Sequence, residues 1–255
     1  LKNSLKQILR DGKFAIGACL TIGHPDIAEI IGQLGFDWVF IDMEHTAMTF
    51  ETVQNLMQAM SFSGTVPIIR VPWNNPVYVK QALDIGAYGI IIPMVNTKEE
   101  AIQAVRSVRY PPLGIRGFGP RRAASNDPDY VATANQEIFL GIQIESQMAI
   151  DNLDEILSVE GIDAILLGPY DLSLNLGVLE QWESPKFKNA ISKIVTAAKK
   201  HDVVMGTLAS ANVEKLVGQG FRIVIVDDDA SILKNGEAAA LESLREAIKG
   251  ANLPK

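Results

Sequence analysis

The sequence predicts a single (β/α)8 TIM barrel, one domain over residues 1–255. Three observations carry this expectation. Eight short apolar, β-branched runs recur along the chain, and each is followed by a stretch with helical spacing. The runs lack a clean apolar–polar alternation, as do strands buried on both faces. The length of 255 residues is close to the roughly 250 typical of such barrels. A doubly wound open sheet is the main rival, and it is disfavoured because no Gly-x-Gly-x-x-Gly opens a helix.

The strands are expected at 14–20, 37–41, 66–70, 88–92, 139–145, 163–167, 203–207 and 222–226. The helices are expected near 26–34, 49–61, 75–84, 98–107, 149–157, 185–200, 211–218 and 231–248. Pro25-Asp26 and Asn75-Pro76 open two of them, with proline in the first turn where its missing N–H costs nothing. Gly86 and Gly161 end two others. One long irregular stretch remains, 108–138, with Pro111-Pro112 and Phe118-Gly119-Pro120-Arg121-Arg122 inside it. Such a stretch is usually functional; it is expected either to cover the barrel mouth or to meet another subunit.

Composition narrows the partners. The net charge is −7 with lysine and arginine dispersed, so nothing marks a nucleic-acid surface. No apolar run reaches the roughly 18 residues that span a membrane, and the first residues lack a signal-peptide core, so a cytoplasmic location is expected. The lone Cys19 reads as a buried strand thiol.

In a barrel, chemistry sits where the strands end. The second strand runs into Asp42-Met43-Glu44-His45, the third ends at Arg70, the fifth in Gln143-Ile144-Glu145, and the sixth in Gly168-Pro169-Tyr170-Asp171. Gln143 and Glu145 are two apart and share one side of their strand. Glu145 and Asp171 follow adjacent strands and make a hard oxygen site of the kind Mg²⁺ takes, with no Cys/His cluster for a softer metal. Read instead as ordinary loop groups, they bind nothing, and Asp171 caps a short helix at Leu172-Ser173. Arg70 is either a cation for a developing oxyanion or half of a structural ion pair. His45 is the one histidine just past a strand among carboxylates. Asp42, three residues earlier, is placed to orient its ring, although a structural histidine there is as common. No lysine ends a predicted strand, which argues against imine chemistry, and no Gly-x-Ser-x-Gly elbow is present.

Five segments together resemble the HpcH/HpaI aldolase family. They are Phe36–His45, Arg70-Val71-Pro72-Trp73-Asn74-Asn75-Pro76, Arg109–Gly117, Gln143-Ile144-Glu145-Ser146 and Gly168-Pro169-Tyr170-Asp171-Leu172-Ser173. Their order and spacing match from about residue 12 to 246. The family's members are class II aldolases that use pyruvate as nucleophile, such as 4-hydroxy-2-oxoheptanedioate aldolase and 2-keto-3-deoxy-sugar-acid aldolases. The resemblance implies a (β/α)8 enzyme that cleaves a 4-hydroxy-2-oxo acid to pyruvate and an aldehyde through a pyruvate enolate. It implies a divalent metal, Mg²⁺ with Mn²⁺ or Co²⁺ as substitutes, on Glu145 and Asp171. It makes His45 the general base, often working through a water, and Arg70 the group that steadies the transition state. Gln143 and the backbone of the Gly168-Pro169-Tyr170-Asp171 run would contact the 2-oxo acid. Asp84 would support the histidine, a role the helix reading does not account for, because it puts Asp84 at the opposite barrel end. The resemblance also implies a homo-oligomer, often a hexamer with the last helix on a neighbour.

The chain departs from the family pattern in places. Tyr170 stands where many relatives carry alanine, and Val226-Asp227-Asp228-Asp229 lacks the usual glycine. Arg121 and Arg122 suggest recognition of a second carboxylate on the acceptor. Two alternatives stay open. One is oxaloacetate decarboxylation or a related lyase reaction on the same enolate. The other is a barrel that has lost catalysis and serves only binding or assembly.

Overall fold

The computed structural model describes residues 1–125, 127–208 and 213–250. Its eight strands are all parallel and close into a barrel in chain order. They are β1 (Ala15–Leu20), β2 (Trp38–Asp42), β3 (Val66–Arg70), β4 (Gly89–Ile92), β5 (Phe139–Ile144), β6 (Ala164–Leu167), β7 (Val204–Leu208) and β8 (Phe221–Asp228). The helices are α1 (Ser4–Arg10), α2 (Pro25–Gln33), α3 (Phe50–Ala59), α4 (Pro76–Asp84), α5 (Lys98–Val108), α6 (Tyr130–Glu137), α7 (Gln147–Asp151), α8 (Leu153–Leu157), α9 (Pro169–Asn175), α10 (Pro185–His201), α11 (Val213–Gln219) and α12 (Asp229–Gly250). Every expected strand is present within a few residues. The expected helix at 211–218 begins in residues 211 and 212, which lie outside the described ones.

Two apolar layers explain the closure. Inside the barrel, Cys19, Trp38, Phe40, Ile68, Phe139 and Leu166 pack with Ile223 and Ile225. A second layer fills the space between strands and helices, with Ile41, Ile69, Ile90 and Ile142 facing Leu56, Leu83 and Ile194. Both faces of each strand are thus covered, which is why the sequence shows no alternation. The floor of the barrel is stoppered by α1, whose Leu5 and Leu9, one turn apart, join the inner layer. This helix is not predicted from the sequence, because seven residues, less than two full turns, are too short a window for periodicity to show.

Three local expectations need correction. The stretch 108–138 is not wholly irregular, since it contains α6. It does not cover the mouth of its own barrel either. Arg116 reaches Asp84 at 2.9 Å and Arg122 Nη1 donates to the carbonyl of Ile85 at 2.6 Å, both at the far end of α4. Helices run opposite to the strands, so this segment lies against the floor. The helix expected at 149–157 is two short ones broken at Asn152, the first capped by Ser146 Oγ, which accepts from the N–H of Ala149 at 3.0 Å. Asp171 does not cap α9; Gly168 is the N-cap, Pro169 follows it, and Asp171 sits in the first turn.

Candidate active site

Parallel register brings the polar strand ends to one level. Asp42 pairs with Arg70 across β2 and β3, and Ile144 with Leu167 across β5 and β6. The next residues along, Glu145 and Gly168, therefore stand side by side at the mouth. A cavity of about 240 Å³ opens there, lined by His45, Arg70, Gln143, Tyr170 and Asp171, with Phe40, Leu166 and Ile225 beneath. A larger hollow of about 560 Å³ between α10 and α11 adjoins it at Leu167 and Pro169, and one of about 400 Å³ lies at the floor.

A single hydrogen-bonded chain crosses the mouth. Arg70 Nε donates to Asp42 Oδ1 at 2.9 Å, and its Nη1 donates to Gln143 Oε1 at 3.2 Å. Gln143 Nε2 donates in turn to Glu145 Oε2 at 3.0 Å. The second oxygen of Glu145 accepts from the backbone N–H of Met94 at 2.8 Å. The guanidinium also lies over the Phe40 ring, 4.9 Å from its centroid. Burial opposes its charge, but the hydrogen bond to Asp42 and the charges of Asp42 and Glu44 outweigh that, so it is held above the usual arginine range. Arg70 is therefore half of an ion pair and also faces the cavity, so the two readings open in the sequence are compatible.

Asp42 acts on backbone rather than on the histidine ring. Its Oδ1 accepts from the N–H of Glu44 at 2.9 Å and of His45 at 3.4 Å, which shapes the loop after β2. The carboxylate facing the ring is Glu44, 3.6 Å from His45 Nε2, and the imidazole is 62% exposed. Asp84 lies at the floor, bonded to Arg116, and meets no histidine among the described residues. Arg122 is at the floor too, so it cannot read a substrate bound in its own barrel.

Sequence reading assigned no role to Glu44 or to the Met94 N–H. Glu44 Oε2 sits 3.1 Å from Arg70 Nε without a well-aligned donor, and burial first, then the charges of Asp42 and Asp171, push its carboxyl up against the pull of Arg70 and His45. Its place beside His45 was the available signal. A backbone donor leaves none, since any residue carries it.

The site has the electrostatics of a cation centre. Asp42, Glu44, Glu145 and Asp171 share one arginine. Burial, with the nearby charges of Glu44 and Asp171, pushes the Glu145 carboxyl up to about 7, against the pull of the Met94 N–H and Arg70. A cation between the carboxylates would relieve this. Gly168 keeps the space open, because a Cβ there would collide with Glu145 Oε2. Among the described residues no three or more His, Cys, Asp or Glu are grouped so as to hold a metal ion by themselves. Two carboxylates with open positions suit Mg²⁺, which keeps waters and takes substrate oxygens.

Comparison with known proteins identifies the family. Residues 16–235 match the HpcH/HpaI aldolase/citrate lyase family. A 5-keto-4-deoxy-D-glucarate aldolase of Citrobacter koseri is 37% identical over 252 residues, covering 97% of this chain and 96% of that protein. A HpcH/HpaI aldolase/citrate lyase family protein from Burkholderia cenocepacia superposes with a TM-score of 0.90 at 34% identity, covering 96% of this chain and all of that one. The citrate synthase SbnG superposes with a TM-score of 0.88 at 30% identity, over 96% of this chain and 98% of that one. By its motifs, its barrel and these relatives, the chain belongs to the HpcH/HpaI aldolase/citrate lyase family, enzymes of carbon–carbon bond chemistry.

Proposed function

We propose that this chain is a divalent-metal-dependent class II aldolase, a single catalytic domain that cleaves a 4-hydroxy-2-oxo acid to pyruvate and an aldehyde and runs the reverse addition. The observation that carries the reading is the hydrogen-bonded chain Asp42–Arg70–Gln143–Glu145 at the mouth, with Asp171 and His45 on the same cavity. Relatives named 5-keto-4-deoxy-D-glucarate aldolase point to hydroxylated keto acids of sugar origin as the substrate class.

Glu145 and Asp171 would hold Mg²⁺, with Mn²⁺ or Co²⁺ as substitutes, and the ion supplies Lewis-acid polarisation of the keto oxygen. The chain's own groups do the rest. Gln143 and the backbone around Gly168, Pro169, Tyr170 and Asp171 seat the 2-oxo acid. His45 Nε2, directly or through a water, takes the proton of the 4-hydroxyl as the C3–C4 bond breaks. The electron pair passes to the pyruvate fragment as its enolate, and the Arg70 guanidinium faces the developing negative oxygen. Protonation at C3 completes pyruvate. Oxaloacetate decarboxylation reaches the same enolate, with carbon dioxide in place of the aldehyde.

The test is pyruvate methyl-proton exchange in D₂O, with and without metal, beside a panel of aldol cleavages and oxaloacetate. Metal-dependent exchange with faster aldol cleavage than decarboxylation is expected. Exchange that ignores chelator would sink the metal; faster decarboxylation would make the enzyme an oxaloacetate decarboxylase; no exchange at all would leave a binding barrel.

A homo-oligomer, a hexamer by the family resemblance, is proposed on α12. Its Ile232, Leu233, Leu241, Leu244 and Ile248 are all exposed in the single chain, and a row of that kind seeks an apolar partner. Sedimentation showing a monomer would overturn this. None of the described helices is long and apolar enough to cross a membrane, and the cytoplasm is the proposed location.

A further inference from the structure

The loop after β4, Pro93-Met94-Val95-Asn96-Thr97, carries no ionisable group, yet it touches the centre of the site. Met94 has a φ of 52°. An unbranched residue other than glycine, asparagine or aspartate rarely adopts that left-handed backbone, and it persists where surrounding bonds over-determine it. Here the consequence is that the Met94 N–H points at Glu145 Oε1, 2.8 Å away.

The bonds that enforce the turn converge on Asn96. Its side-chain Nδ2 donates to the carbonyl of Met94 at 2.8 Å. Its Oδ1 accepts from the hydroxyl of Ser146, the residue that follows Glu145. Its own N–H donates to Glu100 Oε2 at 2.6 Å, and its carbonyl accepts from Asn152 Nδ2 at 2.8 Å. Glu100 closes a capping box with Thr97 at the start of α5, which anchors the loop to a helix. One amide therefore ties two strand ends together. On one side it holds the turn that donates to Glu145; on the other it holds the residue next to Glu145.

We propose that Asn96 is a positioning residue for the metal-binding carboxylate, locking the β4 loop onto the end of β5 so that Glu145 presents a fixed oxygen to the ion. The inference rests on the reading of Glu145 as a metal ligand. Aspartate cannot replace Asn96, although it matches in shape. It could still accept from Ser146, but it has no hydrogen for the Met94 carbonyl and would set two oxygens against each other. Groups that orient a ligand from behind commonly set metal affinity within a factor of 10–100.

The experiment is Mn²⁺ titration of the whole protein by electron paramagnetic resonance, on wild type, Asn96→Ala and Asn96→Asp, each with a thermal melt. Both variants are expected to bind Mn²⁺ about 10–100-fold more weakly than wild type. Saturating Mn²⁺ should restore pyruvate proton exchange, which a merely misfolded site would not allow. Should Asn96→Ala fail to fold, the near-isosteric Asn96→Asp decides alone. Wild-type affinity in a folded variant overturns the role of Asn96 and leaves the aldolase reading intact. Wild type that binds no Mn²⁺ overturns both.

Discussion

The two ends of the barrel use charge in opposite ways. At the floor, among the described residues, Lys6, Arg109 and Arg116 each have an answering group, although Arg116 Nε itself has no partner. Lys6 meets Asp163 at 2.7 Å. Arg109 Nη1 donates to the carbonyl of Ile138 at 2.9 Å. Arg116 meets Asp84 at 2.9 Å while lying between the rings of Tyr110 and Tyr130, whose centroids are 4.4 Å and 5.5 Å away. At the mouth four carboxylates crowd one arginine, and Glu145 is pushed up to about 7 by burial and its neighbours. At the floor each of these cations meets an anion or a carbonyl. At the mouth the negative charge is left unbalanced, as the proposed binding of an ion and a substrate there requires.

Four changes test that contrast, beginning with the largest effect. Glu145→Gln replaces one of the two proposed ligands with a neutral side chain of the same length. Its loss of Mn²⁺ affinity should exceed the roughly 100-fold that changes behind a ligand reach. Affinity equal to wild type in a titration would place the ion elsewhere. Arg70→Ala should cost about 10²–10³ in turnover, as removal of an oxyanion donor does, while Mn²⁺ still binds; full activity would reduce Arg70 to the structural pair with Asp42.

The third change is pH. With its carboxyl near 7, Glu145 in the metal-free fold keeps a proton that the unfolded chain releases near pH 4.3. Its contribution to stability is therefore fully present below about pH 4.3 and is lost as pH rises through 7, on the order of 3 kcal/mol in all. Denaturant melts across that window should show the fall, and Glu145→Gln should remove the Glu145 share of it, leaving the smaller share of Glu44, whose carboxyl is also pushed up. Saturating Mg²⁺ should reverse it, because binding expels the proton. A metal-free protein that grew more stable from pH 5 to 7 because of Glu145 would contradict the crowding argument. The fourth, Arg116→Met, belongs to the floor. It removes the answer to Asp84 and breaks the stack on Tyr110 and Tyr130. Asp84 is partly exposed, so the cost should be about 2 kcal/mol of unfolding free energy, below the roughly 3–5 for a fully buried pair. Within one chain it leaves the Mn²⁺ site untouched, and a change in Mn²⁺ affinity of the monomeric species would mean the two ends are coupled.

Much of this was legible in the residues. The strand ends announced themselves because Arg70, Glu145 and the Asp42–His45 run directly follow buried apolar segments. The resemblance then named their chemistry. What stayed hidden was of two kinds. The floor location of Arg121 and Arg122 was not readable, since the segment after α5 carries no periodicity to say which end of the barrel it folds toward. The exchange of partners at the mouth was not readable either. Asp42 looked like the group behind the His45 ring because of its spacing, yet it accepts from the backbone N–H groups of Glu44 and His45 and from Arg70.

By itself, then, the chain's order of apolar runs and helical stretches determined a closed parallel barrel, because a strand buried on both faces needs helices outside and neighbours on each edge. It also determined which residues stand at the strand ends, since those positions are local. Only the folded barrel decided how they connect: that Gln143 joins Arg70 to Glu145, that a left-handed turn at Met94 aims an N–H at the same carboxylate, and that Arg116 is the partner of Asp84. Those are relations between segments dozens of residues apart, set by register and packing, and no local pattern encodes a distance across a barrel.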